Sequence, residues 1–335
     1  MGVKASAAEV LIPLLDSSKR NTSEMTSTLH RIDDRTVTTI IDPEKCIGCG
    51  LCVKVCPSAT ITMQDEKAVV SGDRSLQCGH CAGVCPVDAV KVKAIDEQSL
   101  LFNNFDLQNR WLSHGAFDTT QLVRLMASRR SCRNYREKAV ELSLLEDLVK
   151  IGTLAPSGSN CQNWTFTILP DRTVVNEFGQ RIGAFFRHIN RMAEKWYMRW
   201  VLKKLGKPQL DNYYREYYRS VQEALEDWER HGRDRLFHGA TALIIVGSKK
   251  GGSCPKEDAM LATQNILLAA HSLGLGTCLI GYAVEAMQND PALQRFLKIP
   301  DEEKVFAVIA LGYPDEAYLT LTGRKKVVPR VVFAP

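Results

Sequence analysis

The chain has 335 residues, 45% of them hydrophobic and 24% charged, with a formal net charge of +5. That length allows two domains and one large core, and the composition excludes a disordered or fibrous protein. The mild positive charge points to small anionic ligands such as phosphates, not to a nucleic-acid partner. No apolar run approaches the roughly 18 residues of a membrane span.

Residues 1–35 mix Ser, Thr and charged residues around one short apolar patch, 10–15, and read as an N-terminal arm. No charged-then-apolar leader is present, so a signal peptide is not expected. The start MGVKAS fits the myristoylation pattern at Gly2 and Ser6, but a pattern this short is common by chance.

Residues 36–93 hold brief elements, with strands expected over 37–41, 60–63, 68–70 and 89–92 around cysteine-rich turns. Cys46, Cys49, Cys52 and Cys56 follow the spacing C-x2-C-x2-C-x3-C-P, a run used for iron–sulfur ligation. Adding 29 carries Cys49, Cys52, Cys56 and Pro57 onto Cys78, Cys81, Cys85 and Pro86, which makes the segment an internal repeat. The same shift carries Cys46 onto Ser75, so one thiolate is missing. A unit this small has too little core to fold on hydrophobic burial alone, and bound metal supplies the difference.

Residues 36–93 resemble the bacterial two-cluster ferredoxins. In such proteins the last Cys of each run serves the other cluster. The resemblance therefore implies one 4Fe-4S cluster on Cys46, Cys49, Cys52 and Cys85. The second, 4Fe-4S or 3Fe-4S, would sit on Cys78, Cys81 and Cys56, with Ser75, Asp73 or solvent in the fourth position. His80, between two ligands, reads as a neighbour of the cluster and not as a ligand. Seven of the eleven cysteines fall in these runs, which places the protein in a reducing compartment, the cytoplasm. Cys132, Cys161, Cys254 and Cys278 are expected to be small buried hydrophobes.

Residues 94–118 form a linker whose Phe102, Phe105, Trp111 and Leu112 are expected to pack on the next domain. The second domain, 119–335, opens with Thr119 and Thr120 capping a helix over 121–127. A helix over 144–154 follows, then strands over 165–169, 242–246, 277–280 and 305–311, with a helix over 256–273 that is apolar on nearly all faces. Such a helix is buried on every side, with cover from a second copy of the chain. The alternation indicates an α+β fold class: a small ferredoxin-like iron–sulfur domain followed by a larger α/β domain with a helical insert over about 180–238.

SRRSCRNY gathers Arg129, Arg130, Ser131 and Arg133 at a helix end, where guanidinium forks suit phosphate oxygens and the carbonyl edge of a heterocycle. APSGSNCQNW places Pro156, Ser157, Gly158, Ser159, Asn160 and Gln162 on a turn whose backbone can approach a ligand closely. Together, and followed by LGLGTCLIGY, these segments resemble the FMN-dependent nitroreductase family. That resemblance implies a homodimer with FMN at each of two interfaces. Arg129 and Ser131 would meet the phosphate and Arg133 the pyrimidine edge; residues 156–160 would arrive from the partner subunit. The backbone of Ile280 and Gly281 would face flavin N5, and Arg324 and Lys326 would form a basic pair at the phosphate. No G-x-G-x-x-G opens a βαβ unit, so a Rossmann dinucleotide site is absent.

The insert interleaves Arg with Trp196, Tyr197, Trp200, Tyr213, Tyr214, Tyr217 and Tyr218, expected as a pair of amphipathic helices covering the flavin. Its acidic residues argue against nucleic acid. The leading expectation is an oxidoreductase: an external low-potential donor reduces the clusters, and FMN delivers electron pairs to a small organic acceptor. The resemblance implies a nitroaromatic, quinone, activated alkene or halogenated phenol. The alternatives are a flavin dehydrogenase exporting electrons through the clusters, and an electron carrier or redox sensor without turnover. No catalytic acid stands out.

Overall fold

The structure is a computed structural model and describes residues 35–334. The readings for Gly2, Ser6 and most of the N-terminal arm lie outside these residues.

The first domain pairs strand β1 (Thr39–Ile41) with β4 (Val90–Val92) and β2 (Ile61–Gln64) with β3 (Lys67–Val70), both antiparallel. Two short helices, α1 (Leu51–Val55) and α2 (His80–Gly83), start directly after left-handed glycines, Gly50 at φ 70° and Gly79 at φ 74°. The 29-residue repeat is written into the backbone. Gly48 and Gln77, and likewise Ala59 and Asp88, pair up as positive-φ residues at that offset. The core is small, with Ile61, Ala68, Ala89, Val90 and Val92 packed among cysteines.

The linker is held differently from expectation. Phe102 and Phe105 stack on each other, centroids 4.5 Å apart, but Trp111 is 82% exposed and Leu112 is exposed too. What pins the linker is polar. The carboxylate of Asp147, fully buried, accepts from the Asn103 amide at 2.8 and 3.0 Å, the Asn104 amide at 2.9 Å and Asn104 Nδ2 at 2.8 Å. Lys150 Nζ donates to the Leu101 carbonyl at 2.6 Å.

The second domain begins with α3 (Thr119–Ser128), whose cap is Asp118, not Thr119 or Thr120: its Oδ1 accepts from the Thr120 and Gln121 amides. Helix α4 (Leu142–Gly152) and strand β5 (Trp164–Leu169) lead into the insert. The insert folds as four helices where two were expected: α5 (Arg172–Glu194), α6 (Trp196–Lys204), α7 (Gln209–Glu216) and α8 (Tyr218–His231). Gly206 at φ 75° and Pro208 break the pattern between α6 and α7. Strand β6 (Ala242–Lys249), helix α9 (Pro255–Ser272), strand β7 (Gly276–Leu279), helices α10 (Gly281–Asn289) and α11 (Pro291–Phe296), and strand β8 (Glu303–Gly312) complete the domain.

The sheet is antiparallel in the order β5-β6-β8-β7. Its central strands are buried on both faces, and the period-2 alternation splits the core in two. Leu243, Ile245, Val308 and Ala310 pack toward α5 and α10, while Ala242, Ile244, Val246, Ala307 and Ile309 pack toward α4 and α9.

Within one chain helix α9 leaves a face uncovered, the face for which cover from a second copy is expected. Met260 and Leu261 are exposed at 36% and 45%. Helix α3 buries no residue and exposes Leu122, Val123 and Met126, and the segment after β8 exposes Val327, Val328, Val331, Val332 and Phe333.

Candidate redox centres and cofactor cradle

The cysteines of the first domain line two separate small cavities. Cys46, Cys49, Cys52 and Cys85 face the first; Cys56, Cys78, Cys81 and Ser75 face the second. The crossed partition follows from the repeat, since the last Cys of each run stands five residues before the strand that closes the other half. Each of these two thiols accepts from the amide four residues on: Thr60 N to Cys56 Sγ at 3.3 Å and Ala89 N to Cys85 Sγ at 3.2 Å. Backbone donors at Ala68 and Gly48 hold the Cys46 thiol below the usual range. N–H donors aimed at sulfur favour thiolate over thiol and so fit metal ligation.

Ser75 is 7% exposed, as buried as Cys46 at 8%. Its Oγ accepts from the Gln77 amide at 3.0 Å, two residues on, as the Cys46 sulfur takes the Gly48 amide. Asp73 is exposed and does not line the second cavity. His80 lines its rim and is exposed.

The basic segment after α3 is tied to the end of the sheet. Ser131 bridges Thr277 in β7, and the Cys132 amide donates to the Thr277 carbonyl at 2.9 Å. Arg129, Ser131 and Arg133 gather about Cys278: burial pushes that thiol up, opposed by Arg133, the Ser131 hydroxyl and Arg129. Arg129 also faces His271, whose pKa burial lowers first and the guanidinium lowers further. The Cys132 thiol is pushed up to about 11, chiefly by burial.

Glu316 was not singled out from the sequence, yet it fastens this segment. It accepts from the Arg133 amide at 3.4 Å, Asn134 Nδ2 at 2.9 Å and the Tyr318 hydroxyl at 3.3 Å. Burial raises its pKa, but those donors outweigh burial and hold it below the ordinary range. Arg130 turns aside to the Thr322 carbonyl at 3.0 Å and to the Thr322 hydroxyl, and Arg324 meets the same carbonyl at 3.2 Å. Lys326 lies on the exposed segment beyond. The Ile280 amide is committed to the Val308 carbonyl at 2.9 Å, and Gly281 is the first residue of α10, whose start has no side-chain cap.

Pro156 leads into the second half of the cradle. Gly158 N donates to Asp258 Oδ1 at 2.9 Å, and Gln162 N to Ser157 Oγ at 3.0 Å. Ser159, Asn160 and Gln162 all have positive φ, 57°, 57° and 51°, a strain of about 1–3 kcal/mol each that marks a loop held by its surroundings. Asp258, another residue without a sequence signal, is the anchor.

Asp258 lies in the first turn of α9 and His271 in its last. At the 1.5 Å rise of an α-helix, those positions are ~20 Å apart. The two halves of the predicted cradle therefore sit at opposite ends of one helix, and a single chain does not bring them together.

In the insert, Trp196, Tyr197, Trp200 and Tyr217 are exposed, while Tyr213, Tyr214 and Tyr218 pack beside Ile189 and Met192. Tyr213 donates to Asn190 Oδ1 at 2.6 Å. An apolar pocket open to solvent lies between α5 and α8, lined by Phe186, Val221, Leu225, Trp228 and Tyr282. Of the four remaining cysteines, Cys132 and Cys278 are buried as expected, Cys161 is half-buried, and Cys254 is exposed, correcting the reading for it. Among the described residues no helix is long and apolar enough to cross a membrane.

Paired thiol cavities joined to an antiparallel α+β domain with a basic cradle define an oxidoreductase with its own iron–sulfur module. The chain belongs to the nitroreductase family: residues 126–313 match the model of that family, and residues 45–89 match that of a 4Fe-4S dicluster domain. It is 24% identical over 229 residues to an iodotyrosine deiodinase of Haliscomenobacter hydrossis, covering 64% of this chain and 90% of that protein. An iodotyrosine deiodinase of Thermotoga neapolitana is 24% identical over 199 residues, 58% of this chain and 89% of the relative. A crystal structure of a nitroreductase with bound FMN from Bacteroides fragilis covers 64% of this chain and 100% of its own, with 22% identity and a TM-score of 0.49.

Proposed function

We propose that this chain takes single electrons from a low-potential donor through two iron–sulfur clusters and passes them, by way of FMN, to a small organic acceptor. The observation that carries the reading is the joining, in one chain, of two thiol cavities to a basic cradle on a nitroreductase-family sheet.

Cys46, Cys49, Cys52 and Cys85 would hold one 4Fe-4S cluster. Cys56, Cys78 and Cys81 would hold the second, with Ser75 Oγ as fourth ligand in place of the thiolate that Cys46 supplies on the other side. The matched burial and matched i+2 amide donor support Ser75 over Asp73 or solvent. Arg129 and Ser131 would bind the FMN phosphate and Arg133 the pyrimidine edge, with Arg324 and Lys326 nearby. Arg130 serves instead to fix the segment around Thr322. Residues 156–160 and Gln162 would complete the cradle from the other subunit, because within one chain they lie at the far end of α9. The apolar exposed faces of α3 and α9 and the C-terminal segment are the surfaces a homodimer would cover.

FMN supplies the conversion of single electrons to pairs; the residues named here bind it, orient it and exclude water. The halogenated phenol belongs in the acceptor class because the relatives named above are iodotyrosine deiodinases. Anaerobic iron and FMN analysis, combined with an acceptor panel of nitroaromatics, quinones and halogenated phenols, tests the reading. Flavin reoxidised by an acceptor after reduction through the clusters is the expected result. Reduction of flavin and clusters by a metabolite alone indicates the opposite electron flow, and no turnover across the panel indicates a carrier.

A further inference from the structure

We propose that each iron–sulfur domain feeds the flavin held by the partner subunit's arginines, and that the electrons leave from the cavity containing Ser75. The inference rests on the functional reading above and adds the route.

Among the described residues, side-chain hydrogen bonds join the first domain to the 157–162 loop of the second. Asn160 Nδ2 donates to the Leu76 carbonyl at 2.9 Å, and the Arg35 guanidinium to the Ser159 carbonyl at 3.5 Å. Leu76 lies between Ser75 and Cys78 and itself lines the second cavity. The second cavity is thus seated on the 157–162 loop. The first cavity carries the exposed Cys49, with Ile47 63% and Leu51 41% exposed beside it. That is the side an external donor can reach.

The loop under the second cavity lies ~20 Å along α9 from its own chain's Arg129–Arg133 segment. An FMN held by Arg129, Ser131 and Arg133 would lie at the C-terminal end of that helix, beside His271 and Cys278. The loop therefore closes over the flavin of the other subunit, and the cavity docked on the loop goes with it. Asn160 then has a positioning role: it holds the Leu76 segment of the cavity wall against the loop. The electron count is simple. Two electrons from a one-electron donor, passed singly through the first and then the second cluster, would with two protons from solvent reduce one flavin.

Mixed dimers separate delivery within a chain from delivery between chains. One chain carries Cys78→Ala and Cys81→Ala with its arginines intact; the other carries Arg129→Ala and Arg133→Ala with its cysteines intact. Each such dimer, isolated with two affinity tags, has one complete flavin site, and that site faces the loop of the chain whose clusters are intact. Flavin absorbance and cluster EPR are followed anaerobically, without acceptor, after mixing with a reduced ferredoxin. Bleaching of the flavin within about twofold of the wild-type rate is expected.

The control pairs wild type with a chain carrying all four substitutions. Its single flavin faces the damaged second cavity, and bleaching should be lost. The reverse pattern, or equal bleaching in both dimers, overturns the proposal. A loaded protein that is monomeric, or one lacking iron or FMN, removes the functional reading and the route with it. Independently, Asn160→Ala should raise amide hydrogen exchange in residues 75–79 and 157–162. Loss of one hydrogen bond of about 1 kcal/mol corresponds to about fivefold in exchange. No change there removes Asn160 from the contact.

Discussion

Asp147→Ala tests whether the linker is held by a buried carboxylate and not by its aromatic residues. Asp147 is fully buried and its oxygens take the amides of Asn103 and Asn104 and the Asn104 side chain, all between 2.8 and 3.0 Å. Hydrogen bonds to a charged acceptor contribute about 1.5–3 kcal/mol each, and a buried donor left without a partner costs about 1–3 kcal/mol. Asn103 and Asn104 are themselves exposed, so water takes over part of the loss once the linker lifts. The expected destabilisation is therefore about 3 kcal/mol, well short of the full sum. Urea unfolding at pH 7 measures it, and limited proteolysis within residues 100–118 should accelerate.

The pH dependence supplies a second reading of the same clamp. Burial raises the Asp147 pKa, but the Asn103 and Asn104 donors outweigh it and the folded value lies below the ordinary one. A depressed carboxylate contributes stability that is fully present above the unfolded pKa of about 3.9 and lost as pH falls through the folded value. The gap between wild type and Asp147→Asn should therefore be constant from pH 7 to about 5 and shrink below about 4. An Asp147→Ala cost under about 1 kcal/mol at pH 7, or a gap that grows in acid, refutes the clamp.

Gly276→Ala places a Cβ 2.7 Å from both Cβ and Sγ of buried Cys132, which must push the Ser131 segment off β7. Flavin retention through desalting should fall severalfold, while iron content stays at the wild-type level. Ser75→Cys should change the EPR spectrum or potential of one cluster only, since a thiolate is a softer ligand than a serine oxygen; identical spectra reduce Ser75 to a turn residue. In the native protein, alkylation at pH 8 should label exposed Cys254 and spare Cys132. The Cys132 thiol, raised to about 11, becomes substantially thiolate only as pH approaches that value. Rapid labelling of Cys132 at pH 8 contradicts its placement.

The cysteine runs and strands were legible because their signals are local: fixed ligand spacing, a 29-residue offset, and apolar alternation in β6 and β8. Spacing also carried the crossed cavities, since the repeat makes each run's last cysteine cross over. The insert departs from a two-helix reading because its aromatics and charges fit helices of any length, and only Gly206 and Pro208 mark the break between α6 and α7. Trp111 misled for a related reason, because an aromatic in a linker says nothing about which surface it meets.

The three carboxylates that hold the architecture, Asp147, Asp258 and Glu316, had no sequence signal. Each acts on backbone amides far along the chain: Asn103, Gly158 and Arg133 lie 44, 100 and 183 residues away. Isolated acids are read by default as solvated surface, and nothing in their neighbours contradicts that until the chain is folded. Their common task also explains their positions. Asp147 fixes the linker, Asp258 the loop beneath the second cavity, and Glu316 the arginine segment. Each thus fastens one part of the route from cysteine to cradle to a helix or to the segment just after β8. On the proposed route these three anchors would hold the separations between cluster cavities, loop and arginine segment, and each can be removed singly without touching a cysteine or an arginine.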